Sequence, residues 1–366
     1  MGADVIKVEN TRSWGPPFVV ANGYRESAYF LGLNRNKRSI AIDFRKPAGC
    51  QLIKDLAADI VVENFVPGKL DSLGLGYRDL EKANPRLIHC SITGYGPDGP
   101  YAKRPGYDVI IEAEAGLMHI TGTKDHPVKV GVAITDITTG LNAKSAILAA
   151  LYAREKSGKG QKIDVSLLEC QVSSLANIGY NFLLAKEEGT RWGTQHNSIV
   201  PYQAFDTLDS QIILGVGNQA QWVKFCAAIG RPDLAHHAKF KTNEKRVANR
   251  EELIDLLSEI LSRKPSSFWL KEFEAIGIPN GPLNNMERTF SHPQVLHREM
   301  VTSVDHPKLG TIPQIGPAVQ FSGTPSSVRL PPPMLSEHVD QILNVVGYSE
   351  EKKGKLIKEC VVFLPR

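Results

Sequence analysis

Short β-branched runs separated by helix-length segments are the feature that most narrows what this chain can fold into. VIKV at Val5 to Val8, SIAID at Ser39 to Asp43, IVVE at Ile60 to Glu63 and LIHCSI at Leu87 to Ile92 are nearly continuous apolar segments, the pattern of strands covered on both faces. Between the second and third lies KPAGCQLIKDLAAD, with Pro47 where a first helical turn tolerates proline and Leu52, Ile53 and Leu56 on one stripe. This order predicts a βαβ unit, hence an α/β fold with a parallel sheet. DSLGLGYRDLEKANPR predicts another helical crossover into the fourth run. Ligands of such sheets bind beyond the carboxyl ends of strands.

The spacing predicts a long helix over about Ile137 to Lys156, with Leu141, Ile147, Leu148 and Leu151 apolar, closed by SGKGQ and followed by the strand KIDVSL. SGKG is a turn, since the spacing of a phosphate-binding loop is absent. From about Pro201, YQAF, DTLDS and QIILGV predict a hairpin, followed by polar helices through about Glu274. These predict a second, smaller domain. GTPSSVRLPPP reads as a linker, and SEHVDQILNVVGY as a further helix.

Composition excludes several classes. At 366 residues, with 42% hydrophobic and 22% charged residues, the chain can bury a large core. No apolar run reaches bilayer length, and Met1 leads into VIKV without a charged-then-apolar leader. A formal charge of +4 with scattered basic residues lacks the footprint of a nucleic-acid binder. Five cysteines without a C-x-x-C pair point to a reducing compartment and offer no zinc or redox motif.

Four local patterns could carry chemistry, each with a structural alternative. GVGNQA at Gly215 to Ala220 imitates a dinucleotide fingerprint, but its preceding strand reads as hairpin-paired, so a strand-to-helix turn explains the glycines. LNRNKRS gathers Arg35, Lys37 and Arg38 before a strand, which suits either a phosphate site or a solvated basic loop. ENFVPGKL places Asn64 and Phe65 at a strand's carboxyl end, where they could bind an adenine or simply form a turn. VAITDITTG puts Asp136 at the start of the long helix. There an aspartate commonly caps and the helix dipole keeps it ionised, and a carboxylate can also serve as a covalent nucleophile.

In their order along the chain these segments resemble CoA-transferase family III. The matching blocks are GADVIKVE, LNRNKRSI, VVENFVPGKLDSLGLGY, SITGYGPDGPYAKRPGYD, GLMHITG, TDITTG with SGKGQKIDVSLLE, and SIVPYQAF. The resemblance implies a Rossmann-like large domain formed by both chain ends, with a smaller α+β middle domain. Its boundaries fall at 1–195, 200–322 and 323–366, the last part returning to the large domain. It also implies a homodimer of interlocked rings. Asp136 takes the position of the family's nucleophile, forming an aspartyl anhydride and then an enzyme-CoA thioester. Leu33, Asn34, Lys37, Asn64, Phe65, Gly106, Tyr107 and Asp108 take the positions of its CoA contacts. CoA thioesters and carboxylic acids are the implied substrates, without a tightly bound cofactor, a metal, a nucleic acid or a membrane. RWGTQHNSIVPYQ resembles members acting on dicarboxylates, and the run of glycines of the formyl-CoA enzymes is missing, so succinyl-CoA and glutarate are the expected pair. The implied location is the mitochondrial matrix if the source is eukaryotic and the cytoplasm if it is bacterial.

The chain departs from the family pattern at its start and near its end. Relatives carry another strand and helix before GADVIKVE, Asn10 stands where an arginine contacts CoA, and Ser336 stands where glycine is usual. A CoA-binding protein without turnover is the alternative this motivates. The enzymatic rival is an α-methylacyl-CoA racemase, which needs a histidine where this chain has Tyr107. Tyrosine, with a reference pKa of about 10, is a poor partner for two-sided proton exchange at neutral pH. Solvent deuterium is therefore expected to stay out of the α-carbon of a 2-methylacyl-CoA, and its entry, read by mass spectrometry, would contradict this exclusion.

Overall fold

The computed structural model describes residues 11–57 and 59–365, so the strand expected at Val5 to Val8 and the departure at Asn10 lie outside the described residues. The chain divides into two compact units, one from the described parts of Met1–Gly106, Thr138–Glu169 and Glu287–Arg366, the other from Tyr107–Ile137 and Cys170–Met286. The hairpin of Val301–His306 and Gly310–Ile315, inside the middle segment of the sequence-based division, falls with the first unit.

The first unit contains a parallel sheet in the order Ile60–Glu63, Ile88–Thr93, Gln161–Ser166. Ile88 and Cys90 of the middle strand are fully buried, and the crossover into it is the expected one. It runs through Asp71–Leu73 and Tyr77–Ala83, whose Leu80, with Leu75, packs on Ala57 and Leu87. IVVE forms its strand but is not covered on both faces: Ile60 and Val62 are exposed.

SIAID departs further from expectation. Only Ala41–Ile42 is a strand, and it pairs antiparallel with Val362–Phe363 near the chain's end. The helix Pro47–Leu56 forms as expected, yet it does not join two strands of one sheet. The reason lies in the partner that the chain end supplies. Ile40 and Leu52 share a core with Val339, Ile342, Leu343, Leu356, Val361 and Val362. Within it the buried Ser336 hydroxyl accepts from the Ala41 N–H at 3.1 Å and donates to the Phe363 carbonyl. Ser336 sits at φ +60°, a left-handed conformation in which glycine is the easier residue. These two hydrogen bonds hold the serine there.

The long helix runs over Ile134–Ser157, beginning three residues before the expected start. Its covered side carries Thr135, Thr139, Ala143, Ala150 and Arg154, whereas Leu141 and Leu148 are exposed at 51% and 59%. The apolar residues that marked the helix in the sequence thus include two that are exposed. Small side chains on the covered side let the helix approach its neighbours closely, and close packing leaves no room for leucine. Arg154 donates to the carbonyls of Asp59 and Arg86, tying the helix to the segments that lead into two sheet strands. The SGKG turn then brings Gly160 so near the sheet that an added Cβ would lie 1.9 Å from the Leu87 carbonyl oxygen.

In the second unit Tyr202–Asp206 and Gln211–Gly215 form the expected hairpin, and Asn280–Pro282 adds a third antiparallel strand. Trp222, Phe225, Trp269 and Phe273 anchor its core. Beyond Gly215, Asn218 caps the helix Gln219–Ala228 by accepting from the Gln221 N–H. The strand before GVGNQA is antiparallel to both neighbours, so the glycines serve a turn and not a dinucleotide site.

Replacing Ala150 by leucine tests the small-residue face: overpacking is expected to cost about 1–3 kcal/mol of stability. Chemical denaturation measures it, and an unchanged midpoint would contradict the packing described.

Candidate active site

Asp136 lies in the first turn of the long helix but does not cap it. That role belongs to Asp108, the first residue of the helix Asp108–Glu114. Its Oδ1 accepts from the backbone N–H of Thr135 at 2.8 Å and of Asp136 at 3.2 Å. These are N–H groups that a helix start leaves without an internal partner. The Thr135 hydroxyl donates to Gln171 Oε1 at 2.8 Å, and Gln171 donates in turn to Ser174. Thr135 and Gln171 are both buried. The turn is therefore held through its backbone and through Thr135, and the Asp136 side chain is left exposed.

The helix dipole was expected to keep Asp136 ionised. Its carboxyl is pushed above the ordinary carboxylate value, first because surrounding protein removes water and second because Asp108 repels a nearby negative charge. Glu112, one turn beyond Asp108, is completely buried, and its Oε2 accepts from the Val130 N–H at 3.0 Å. Burial raises its pKa as well, opposed by the Val130 hydrogen bond and reinforced by Asp108.

Gly106 and Tyr107 occupy the run leading into Asp108. Gly106 packs against Gly94, where an added Cβ would come within 2.7 Å of the other glycine's Cα. Its lack of a side chain is therefore used for the approach of two backbones. Tyr107 is the residue before the Asp108 helix and stands 68% exposed.

The remaining candidates belong to the first unit. Asn34 is buried, donating to the Phe30 carbonyl at 2.8 Å and accepting from Lys37 Nζ at 3.1 Å. Its side chain orients the lysine, while Leu33 is exposed. Asn34, Lys37 and Arg38 line a small recess with Arg12, Phe30, Ser39, Pro333 and Leu335. Arg12 stacks over Phe30 and donates to the Pro333 carbonyl and to Glu26. Asn64 and Phe65 follow a parallel strand's carboxyl end, as expected, and are exposed. The Phe65 N–H donates to Glu63, and its ring meets Phe44 edge-on at 5.9 Å. Phe44 lines a second, open recess with Ile42, Asp43, Arg45, Lys69 and Phe363.

The structure thus brings Asp108 to Asp136, and Asn34 to Lys37. Reasoning from sequence missed Arg12, Glu112 and Gln171. Nothing in the local pattern marks Gln171, whereas Glu112 was findable as a carboxylate one helical turn after Asp108. Arg191, in the segment linked to dicarboxylate recognition, directs its guanidinium to the carbonyls of His119, Thr123 and Lys124.

The chain belongs to CoA-transferase family III, whose family model matches residues 1–339. It is 48% identical to the succinyl-CoA:glutarate CoA-transferase of Homo sapiens, over 99% of this chain and 84% of the relative. It is 42% identical to the succinate–glutarate CoA-transferase of Agrobacterium fabrum, over 94% of this chain and 88% of the relative. A crystal structure of a CAIB/BAIF family protein from Brucella suis matches with a TM-score of 0.85 at 42% identity, covering 94% of this chain and 92% of that one.

The raised carboxyl of Asp136 has a thermodynamic consequence. Between the ordinary value of 3.8 and the raised native value, the native state holds a proton that the unfolded chain has released, so this residue's contribution to stability falls as pH climbs through that window. Asp108→Asn keeps the capping oxygen and removes the charge. It is expected to move the Asp136 titration, followed by carboxyl carbon NMR, toward lower pH. A titration that stays in place or rises would contradict the assignment of Asp108 as a cause.

Proposed function

We propose that the protein moves CoA from succinyl-CoA to a dicarboxylate, glutarate first among them, with Asp136 as the covalent nucleophile. The observation that carries the mechanism is the exposed Asp136 carboxylate, whose backbone is fixed by Asp108 and whose pKa is raised, so that the ionised form is more basic than an ordinary carboxylate. The substrate pair follows from the named activities of the human and Agrobacterium relatives, each matching most of this chain.

In this reading the Asp136 carboxylate attacks the acyl-CoA carbonyl and expels CoA thiolate, leaving a mixed anhydride. The thiolate attacks the aspartyl carbonyl, releases the donor acid and forms an enzyme-CoA thioester. The acceptor carboxylate attacks that thioester and regenerates an anhydride with the thiolate expelled. Return of the thiolate to the acceptor's carbonyl releases the new acyl-CoA and frees Asp136. One thioester replaces another, so no nucleotide is consumed. Lys37, oriented by Asn34, and Arg38 are suited to the phosphates of CoA, and Phe65 with Asn64 to its adenine. Leu33, Gly106, Tyr107 and Asp108 complete the proposed CoA contacts.

A homodimer belongs to the same reading. Ile137, Leu141, Leu148 and Tyr152 are exposed at helical spacings of four, seven and four, a single apolar stripe along the long helix. A second copy of the chain is the proposed cover. Charging Leu141 and Leu148 to lysine together is expected to yield monomer by light scattering, and an unchanged mass would contradict it.

Asp136→Asn removes the nucleophile but not the cap. Exchange is expected to fall to background while CoA still binds by calorimetry, with stability changed by no more than about 0.5 kcal/mol. Substantial transfer by this variant, with deamidation excluded, would overturn the mechanism. In a panel of acids assayed by mass spectrometry, dicarboxylates are expected to outcompete monocarboxylates. The reverse order would overturn the substrate assignment.

A further inference from the structure

We propose that Glu112 is a positioning residue: held as the neutral acid, it donates a hydrogen bond to Asp108 and so fixes the carboxylate that seats the Asp136 turn. The inference rests on the reading of Asp136 as the nucleophile and adds a residue to its machinery.

The geometry leaves Glu112 little choice of state. It is fully buried one helical turn after Asp108, so the two side chains lie on one face of the same short helix. Oε2 is engaged by the Val130 N–H, whereas Oε1 is sealed from solvent with no donor among the described residues to accept from. An ionised carboxylate with a bare buried oxygen is costly, and costlier beside another carboxylate. A proton on Oε1 removes both penalties, because the acid then donates to Asp108 and leaves Oε2 accepting from Val130. The charged groups acting on Glu112 are Asp108, which favours the proton, and Lys129, which opposes it less strongly than burial and Asp108 favour it. Asp108 in turn accepts from the N–H groups of Thr135 and Asp136. A chain of hydrogen bonds therefore runs from the buried acid to the backbone of the nucleophile. If Glu112 ionises, Asp108 loses a donor and gains a like-charged neighbour, and the turn bearing Asp136 loses its fixed seat.

Two substitutions separate this role from simple packing. Glutamine reproduces the neutral acid, with an oxygen for the Val130 N–H and an amide donor for Asp108 at every pH. Leucine fills the space and offers neither. With the full-length protein and succinyl-CoA and glutarate as substrates, kcat and KM are measured across pH for both variants. Glu112→Gln is expected to stay within about 3-fold of the parent kcat and to lack the decline with rising pH that ionisation of Glu112 is expected to give the parent, while Glu112→Leu lowers kcat on the order of 10- to 100-fold with KM for the thioester little changed. A glutamine variant as impaired as leucine would overturn the proposal, because the anion would then be the working form. So would a leucine variant with parental kcat, or an alkaline decline kept unaltered by glutamine. If Glu112→Leu fails to fold by circular dichroism, the glutamine pH profile carries the decision alone. Asp136→Asn is run alongside: activity kept there strikes the nucleophile assignment, whereas activity lost there with an indifferent Glu112→Leu strikes only the role of Glu112.

Discussion

The turn that carries Asp136 depends on one interaction, the capture of two backbone N–H groups by Asp108 Oδ1. A carboxylate that caps its own helix has an oxygen committed to the N–H groups it satisfies. Here the capping oxygen comes from a residue 28 positions earlier, and the Asp136 carboxylate is left out of the cap. The same arrangement sets its electrostatics. A helix start favours an anion by about 0.3–1 kcal/mol at exposed positions, falling off within a turn. Loss of surrounding water and the Asp108 charge act the other way and raise the carboxyl's pKa.

Backbone packing prepares this geometry. Gly106, against Gly94, fixes the run that enters the Asp108 helix at Tyr107, and no side chain could be accommodated at that contact. Thr135 engages Asp108 through its N–H and Gln171 through its hydroxyl, so the first turn of the long helix is gripped at backbone and side chain. Farther along, Ala143, Ala150 and Arg154 provide the helix's covered side, while its leucines at 141 and 148 remain outside.

What could be read from the sequence follows from how local each signal is. The crossover before Ile88–Thr93, the Tyr202–Gly215 hairpin and the end of the long helix at SGKG were legible because periodicity and turn residues report them within a few positions. The partner of Ala41–Ile42 was not, because it comes from Val362–Phe363 at the other end of the chain and is held by Ser336. The packed face of the long helix was not legible for a related reason. Hydrophobic periodicity marks large apolar residues, whereas close helix packing here uses threonine and alanine. At the site, Asp136 was visible as a helix-start aspartate, but the cap was assigned to it because nothing local distinguishes a capping carboxylate from one freed by a distant cap. Asn34 was expected to contact a ligand directly, whereas its buried side chain bonds the Phe30 carbonyl and Lys37.

The central claim is that an acceptor carboxylate passes through a covalent bond to Asp136, and the fate of its oxygen tests it most directly. When the acceptor attacks the enzyme-CoA thioester, its oxygen becomes the bridge of the anhydride, and thiolate attack on the acceptor's carbonyl leaves that oxygen on Asp136. Glutarate carrying the heavy oxygen isotope in its carboxylates, given with succinyl-CoA for a single turnover and followed by peptide mass spectrometry, should deposit one heavy oxygen on the peptide at Asp136. Label on a different carboxylate, or full exchange with no label on any enzyme carboxylate, would contradict the account.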